Sequence, residues 1–414
     1  MAGGIKAKLL RLTFGNLAYL GAQFVAFVAL AQWATLAEVG RFSWALALTS
    51  PIFLFADMRT SQIQLSSPPE QVSYRTFVYQ RVAMQLLASP VAIGLGLAFA
   101  PDRETFAMVL GLTVLKNIEG LINVSLTEHM RFEAMGVVAA IQLVRGILYA
   151  LVFSLSLFFS GSAIVAIWLT AVILLVPAAQ GHLTLPRTAR SAGSSRQAML
   201  LLTRDSWSIG LGFFIGSLTV NGPRFLIESY NGVEALGVFA AVSYVIVLAN
   251  TVVDSVTQGL MPRFSSYWRA GQGRRALNNA FRICALVGLI GLLSLLVSAL
   301  FGDTILRLLY GAEFAQGKVV LIALFVWATL QYIASALRSV LITGGMRSGV
   351  LWTSVINMVV TLALALLWLP TRGAEFAGWA LACGQLAQLL IYVWFAARAF
   401  RGADQHVEKK EQSS

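Results

Sequence analysis

The chain has 414 residues, 58% of them hydrophobic and 12% charged, with a formal net charge of +12. A soluble domain carries about a quarter charged residues, so the composition excludes an ordinary soluble fold. Apolar runs of about twenty residues recur along the whole length and define a polytopic α-helical membrane protein, without the short alternating strands of an outer-membrane barrel.

Lys6, Lys8 and Arg11 precede the first apolar run, as in a signal peptide. That run continues to Thr35, too long for a signal core, and no small-x-small site closes it; it reads as a first transmembrane helix. The expected spans are Thr13–Thr35, Phe42–Gln62, Phe77–Ala100, Thr105–Thr127, Met135–Phe159 and Ser162–His182, then Ser206–Ile227, Leu236–Pro262, Leu277–Phe301, Lys318–Ile342, Gly349–Leu369 and Ala374–Ala399. Between the two sets lies the longest interior polar stretch, Leu183–Asp205, which reads as a linker. Its second part, Arg196–Arg204, has the composition of a short helix lying on the membrane. The sequence thus divides into lobes at 1–182 and 206–400, a linker at 183–205 and a polar, disordered tail at 401–414.

Loop lysines and arginines orient the spans. One side carries Lys6, Lys8, Arg11, Arg75, Arg131, the four linker arginines, Arg263, Arg269, Arg274, Arg275, Arg347 and the basic tail. The opposite loops hold only Arg41, Arg103, Arg307, Lys318 and Arg372. Both termini are therefore expected in the cytoplasm, and most of the net charge serves topology and not nucleic-acid binding.

The halves resemble each other. Val39-Gly-Arg-Phe42 opens the second span and Leu236-Gly-Val-Phe239 the eighth; that offset places Asp57 on Asp254. Leu126-Thr-Glu-His-Met-Arg131 matches Ile342-Thr-Gly-Gly-Met-Arg347, each expected in the loop after its half's fourth helix. Two matches in the same order argue for a duplicated six-helix unit. Since six is even, the repeats run parallel about an axis along the membrane normal.

Several spans contain charge, at about 2.5–3.5 kcal/mol each near a helix centre. Arg81, Arg282 and Arg338 lie near span ends and can snorkel to headgroups. Lys116 and Glu119 are three residues apart, and mutual neutralisation is one reading of them. Arg145 has no local acid and needs water, a carboxylate from another helix or an anionic ligand. Arg224 follows Asn221-Gly222-Pro223, where proline is expected to kink or end the helix; it lines a cavity or sits among headgroups. Asp57 points away from Arg59 and needs a partner on another helix; Asp57, Asp254 and Glu119 are candidates for ion coupling or lobe architecture. Cys284 and Cys383 lie in separate spans and read as buried thiols.

Enzyme signatures are missing. Gly311–Lys318 imitates a phosphate loop but has one residue too many between its glycines and Val319 in place of Ser or Thr. His129, His182 and His406 are far apart in sequence and form no ligand cluster, and neither a metal nor a cofactor is expected.

The stretch Asn221-Gly-Pro-Arg-Phe, Asn231-Gly-Val-Glu-Ala-Leu-Gly-Val-Phe239, Asp254 and Gln258-Gly-Leu-Met-Pro262, set in twelve duplicated spans, resembles the polysaccharide-transporter branch of the multidrug/oligosaccharidyl-lipid/polysaccharide (MOP) flippase superfamily. The resemblance covers roughly residues 5–400 in architecture, and Gly344-Gly-Met-Arg347 also fits it. It implies a V-shaped pair of six-helix lobes in the bacterial inner membrane. It also implies a cationic cavity lined by Arg224, Arg145, Arg59 and Lys116, with Asn221 beside them. The implied substrate is an undecaprenyl-pyrophosphate-linked oligosaccharide for O-antigen or exopolysaccharide, flipped from the cytoplasmic to the periplasmic leaflet among membrane lipids. A polysaccharide polymerase and a chain-length regulator are the implied partners. The alternatives are a cation-coupled multidrug exporter, whose cavity would be acidic, a lipid-linked peptidoglycan precursor flippase, a membrane-embedded glycosyltransferase or ligase, and a non-transporting scaffold.

Overall fold

A computed structural model describes residues 2–67, 72–186, 196–246, 267, 273–343 and 347–411. Among the described residues the regular structure is all helix. In order come α1 (Ala2–Trp33), α2 (Leu36–Asp57), α3 (Thr60–Ser66), α4 (Tyr74–Phe99), α5 (Arg103–Arg131), α6 (Met135–Ser160), α7 (Ala163–Ile173) and α8 (Leu175–Leu183). There follow α9 (Arg196–Asn231), α10 (Val233–Ile246), α11 (Gly273–Tyr310), a 3-10 turn at Ala312–Gly317, α12 (Lys318–Thr343), α13 (Arg347–Arg372) and α14 (Phe376–Glu411). Among the described residues, 10 stretches are long and apolar enough to cross a membrane, with α2–α3 and α7–α8 each counting as one.

Local chemistry sets the helix ends. Thr35 and Glu38 form a reciprocal capping box at the start of α2, and Ser73 and Asp102 cap α4 and α5. Burial opposes the charged form of Asp102, but the Thr105 backbone N–H and the Arg41 guanidinium outweigh it and hold the carboxyl below its usual range. Arg41 also reaches Glu104 at 2.9 Å, so this end of α2 is clamped to the start of α5. Gly232, at φ +87, makes the tight turn between α9 and α10 that an L side chain rarely adopts.

Several expectations need correction. Arg196–Arg204 is not a separate surface helix but the first turns of α9, which also runs unbroken through Pro223. The 126–131 sequence lies inside α5 and not in a loop, because Phe132 supplies the C-cap only after Arg131. The second span breaks at Met58 and Arg59, with neither glycine nor proline at the break. The tail is helical to Glu411 as an extension of α14. The eighth span is described only to Ile246; Asp254, Gln258, Pro262, Arg263 and residues 344–346 lie outside the described residues. Val39 and Leu236, the matched positions of the proposed repeat, are each the fourth residue of their helix and fully buried.

The chain forms two compact units, Met1–Asn221 and Gly222–Ser414, so the boundary falls inside α9 and not in the 183–205 linker. In the first unit α5 is the hub, packing against α2, α3, α4, α7 and α8, while α1 lies along α6. The α1–α6 approach is close because a Cβ on Gly15 would stand 2.9 Å from the Ala139 Cα. Outward faces are apolar: Leu86, Leu87 and Leu97 are 66–74% exposed, as lipid requires. In the second unit α12 packs on α11 and α14, and α13 packs on α14. Between α13 and α14 lies a buried, uncharged network. Asn357 donates to Gln385 at 3.2 Å and Gln388 at 3.0 Å, Thr361 donates to Asn357, and Gln388 reaches Ser354 and the Tyr392 hydroxyl. Gly384 permits this contact, since a Cβ there would stand 2.6 Å from Asn357 Oδ1.

Gly15→Ala is expected to destabilise by about 1–3 kcal/mol, because the obstacle is backbone. Gly94→Ala, where a Cβ meets nothing within 4 Å, is expected to be neutral or to stabilise by up to about 1 kcal/mol. Thermal melting of the two variants in detergent measures the difference.

Candidate functional site

The in-span charges of the first unit converge on α5. Glu119 accepts a hydrogen bond from Arg145 Nη2 of α6 at 2.9 Å and a short one from the Tyr19 hydroxyl of α1. Arg145 also donates to Asn123 Oδ1 at 3.1 Å, and its guanidinium carbon lies 3.8 Å from the Tyr19 ring centroid. Gln23 donates to the Tyr19 hydroxyl at 2.9 Å. Arg145 is 3% exposed, and its Nε is buried without an acceptor among the described residues. The arrangement follows from the local sequence: Gly146, beside Arg145, lets α1 approach so closely that a Cβ would lie 3.2 Å from the Tyr19 Cα.

The carboxylate that Arg145 requires is therefore Glu119, and Glu119 turns to α6 for its ion pair. Lys116, half-buried one turn earlier, adds its positive charge at the same carboxylate. Its backbone is fixed by Gln85 of α4, which donates to the Asn117 carbonyl at 3.0 Å and the Lys116 carbonyl at 3.4 Å. Gly120 makes room for this, since a Cβ there would overlap the Gln85 amide and stand 3.4 Å from Arg81 Cδ.

Asp57 ends α2 and pairs with Arg81 of α4, which also donates to the Thr60 hydroxyl at 3.3 Å. Arg81 does not snorkel: it is 3% exposed, whereas Arg282 and Arg338 are exposed. Arg59 lies between, its guanidinium carbon 4.2 Å from the centroid of the Phe213 ring on α9. Among the described residues Arg59 and Lys116 form no ion pair within 4.0 Å. This cluster thus sets four cations, Arg59, Arg81, Lys116 and Arg145, against two carboxylates, each already bound to an arginine.

Arg224 belongs to the second unit, on α9 just after Pro223; it is half-buried, and its Nε is shielded with no acceptor among the described residues. Gly222 faces Leu362 of α13. Asn221 turns its amide back on its own helix, donating to the Ser217 carbonyl at 2.9 Å. Asp254 lies outside the described residues.

A second buried cluster escaped the sequence reading. Glu128 of α5 binds Gln64 of α3 at 2.7 Å and Arg131 at 3.3 Å, while Arg131 donates to the Ser67 and Val72 carbonyls. Arg131 was expected as a loop charge, but its side chain is 3% exposed. His129 Nε2 bonds the Gly181 carbonyl, and the His182 ring bonds the Tyr74 hydroxyl, so two histidines distant in sequence meet at one end of the unit. The i, i+3 spacing of Glu128 and Arg131 was the available signal. Among the described residues no three His, Cys, Asp or Glu side chains group as a metal site.

No protein-family model matches the chain. A capsular polysaccharide biosynthesis protein, CapF, of Staphylococcus aureus is 21% identical over 385 residues, covering 91% of this chain and 96% of the relative. The structure of the lipid II flippase MurJ in an inward closed conformation superposes with a TM-score of 0.71 at 12% identity, over 93% of this chain and 87% of that one. An inward-facing multidrug resistance MATE family transporter of the MOP superfamily gives 0.73 at 12% identity, over 96% and 99%. A MOP superfamily transporter from Pyrococcus furiosus, described as having a binding pocket of reverse polarity, gives 0.64 at 13% identity, over 95% of each chain. The chain therefore has the MATE- and MurJ-like helical fold, shared with transporters and flippases.

Removing one member of the Glu119–Arg145 pair leaves a buried charge, and Arg145→Met is expected to cost about 3–5 kcal/mol. The double variant Glu119→Gln/Arg145→Met is expected to recover most of that loss. A double-mutant cycle of melting temperatures measures the coupling.

Proposed function

We propose that the protein is a flippase that moves an anionic lipid-linked oligosaccharide across the bacterial inner membrane by alternating access of two six-helix lobes. The observation that carries this reading is the surplus of cations in otherwise apolar helices. Arg59, Lys116 and Arg224 remain without an ion pair among the described residues, whereas Asp57 and Glu119 are occupied. Holding cations without a paired carboxylate in lipid is costly, and a phosphate-bearing ligand offsets that cost. An undecaprenyl-pyrophosphate carrier fits: the pyrophosphate meets the guanidinium forks, the sugars take the polar space, and the polyprenyl chain stays in lipid. The fold shared with a lipid II flippase and the similarity to a capsular polysaccharide biosynthesis protein support the same class of cargo. Both termini then face the cytoplasm, and a polysaccharide polymerase and chain-length regulator act on the flipped unit. The reading as an exporter of cationic drugs is disfavoured because the two first-unit carboxylates that would attract such cargo are already neutralised by Arg81 and Arg145.

A deletion strain is expected to accumulate lipid-linked repeat units on the cytoplasmic face. Wild type is expected to clear them, and Arg59→Ala and Arg224→Ala to clear them at least about tenfold more slowly, the loss of one charge-assisted phosphate contact each. Leaflet-resolved labelling of the lipid-linked sugars measures this. No accumulation in the deletion strain refutes the flippase reading, and full rescue by both variants refutes the cationic site.

A further inference from the structure

The break between α2 and α3 is the most strained backbone among the described residues of the first unit. Met58 and Arg59 adopt consecutive left-handed conformations, φ 47 and 49, although both carry side chains. Such conformations persist only where the surroundings enforce them. Two sets of contacts do so. Arg81 holds both Asp57 and Thr60, one on each side of the break. The other set comes from α9. A Cβ on its Gly210 would stand 3.0 Å from the Phe55 carbonyl and 3.4 Å from the Met58 Cα, so here α9 lies directly on the broken backbone. Phe214 meets Phe55 edge-on, with ring centroids 6.2 Å apart. Phe213 lies under the Arg59 guanidinium at 4.2 Å. Residues 210, 213 and 214 fall on one helical face, which forms a seat for the break.

The two arginines at the break differ in what holds them. Arg81 is held by a carboxylate, which an anion displaces only against direct competition. Arg59 is held by a ring quadrupole, a weaker partner than a phosphate oxygen. Arg59 is therefore the exchangeable contact.

We propose that Arg59 is a two-position switch: it stacks on Phe213 when the site is empty and turns to the anionic group of the lipid-linked cargo when loaded, so that cargo binding releases α9 from the α2–α3 break. This rests on the reading of the protein as a carrier of an anionic lipid. Once the stacking is lost, one of the enforcing contacts is gone, and the break relaxes toward continuous helix from α2 into α3. The boundary between the two compact units falls inside α9, at Asn221, so the helix that receives the signal is the one both units share.

The test uses the full chain in lipid nanodiscs with Cys284 and Cys383 replaced by alanine and the pair Met58→Cys/Gly210→Cys introduced. The rate of oxidative cross-linking is compared with no addition, with undecaprenyl pyrophosphate and with uncharged undecaprenol. The pyrophosphate is expected to slow cross-linking about fivefold, the scale of one lost cation–π contact, and undecaprenol to leave it unchanged. Phe213→Leu is expected to be slow without lipid, while Phe213→Trp keeps the response. Hydrogen exchange over residues 55–64 and 207–214 of the unaltered protein gives the same readout without a cysteine in the close contact, with the same lipid dependence expected. Retention of labelled undecaprenyl pyrophosphate is measured in parallel. Binding with unchanged cross-linking and exchange overturns the switch alone; failure to bind overturns the switch and the carrier reading together.

Discussion

The first unit depends on the neutralisation of charge inside apolar helices. An isolated arginine at mid-span costs several kcal/mol, and the chain meets that cost with carboxylates from neighbouring helices. Arg145 takes Glu119, with Tyr19 closing the other side of the acid. Arg81 takes Asp57. Both pairs meet at α5: Glu119 belongs to it, and Arg81 packs over Gly120, the next residue. This explains why small residues sit where they do. Gly146 brings α1 to Arg145, and Gly120 brings α4 to α5; without either, an ion pair would lack its geometry. Packing and electrostatics are one constraint here, because a charge is tolerable only where the backbones approach closely enough to pair it.

Much of the architecture was legible in the sequence, for a simple reason. A span is a local property, and about twenty apolar residues announce it without reference to the rest of the chain. What was not legible is what depends on distant partners. Arg145 lacks an acid within its own helix, and nothing local identifies Glu119 as its partner across 26 residues. Arg81 looked like a headgroup ligand from its place near a span end, yet it is buried against Asp57. Backbone expectations failed in both directions. Pro223 suggested a break, but a proline removes one helix hydrogen bond, which a long packed helix tolerates. Met58 and Arg59 gave no warning, and there the helix does break, because tertiary contacts enforce the conformation. Arg131 counted as a topology charge, though it ties the Ser67 and Val72 carbonyls to α5.

The site residues sort by what the fold leaves them. Arg145 and Arg81 serve structure first, since each holds a carboxylate and several helices. Arg59 and Lys116 carry charge that the described carboxylates do not pair directly. The cationic character expected of the spans therefore narrows from arginines in general to those the fold has not already used. Arg224 reaches the same condition by another route, with a shielded Nε beside a proline that withholds its own N–H.

The contact between α13 and α14 has a different character. Asn357, Gln385, Gln388 and Thr361 bind one another entirely through amides and a hydroxyl. None of these groups titrates in the physiological range, and none carries a net charge. Neither acidification of one compartment nor the membrane voltage does work on this junction. It is an electrically silent brace, a register held by uncharged hydrogen bonds alone.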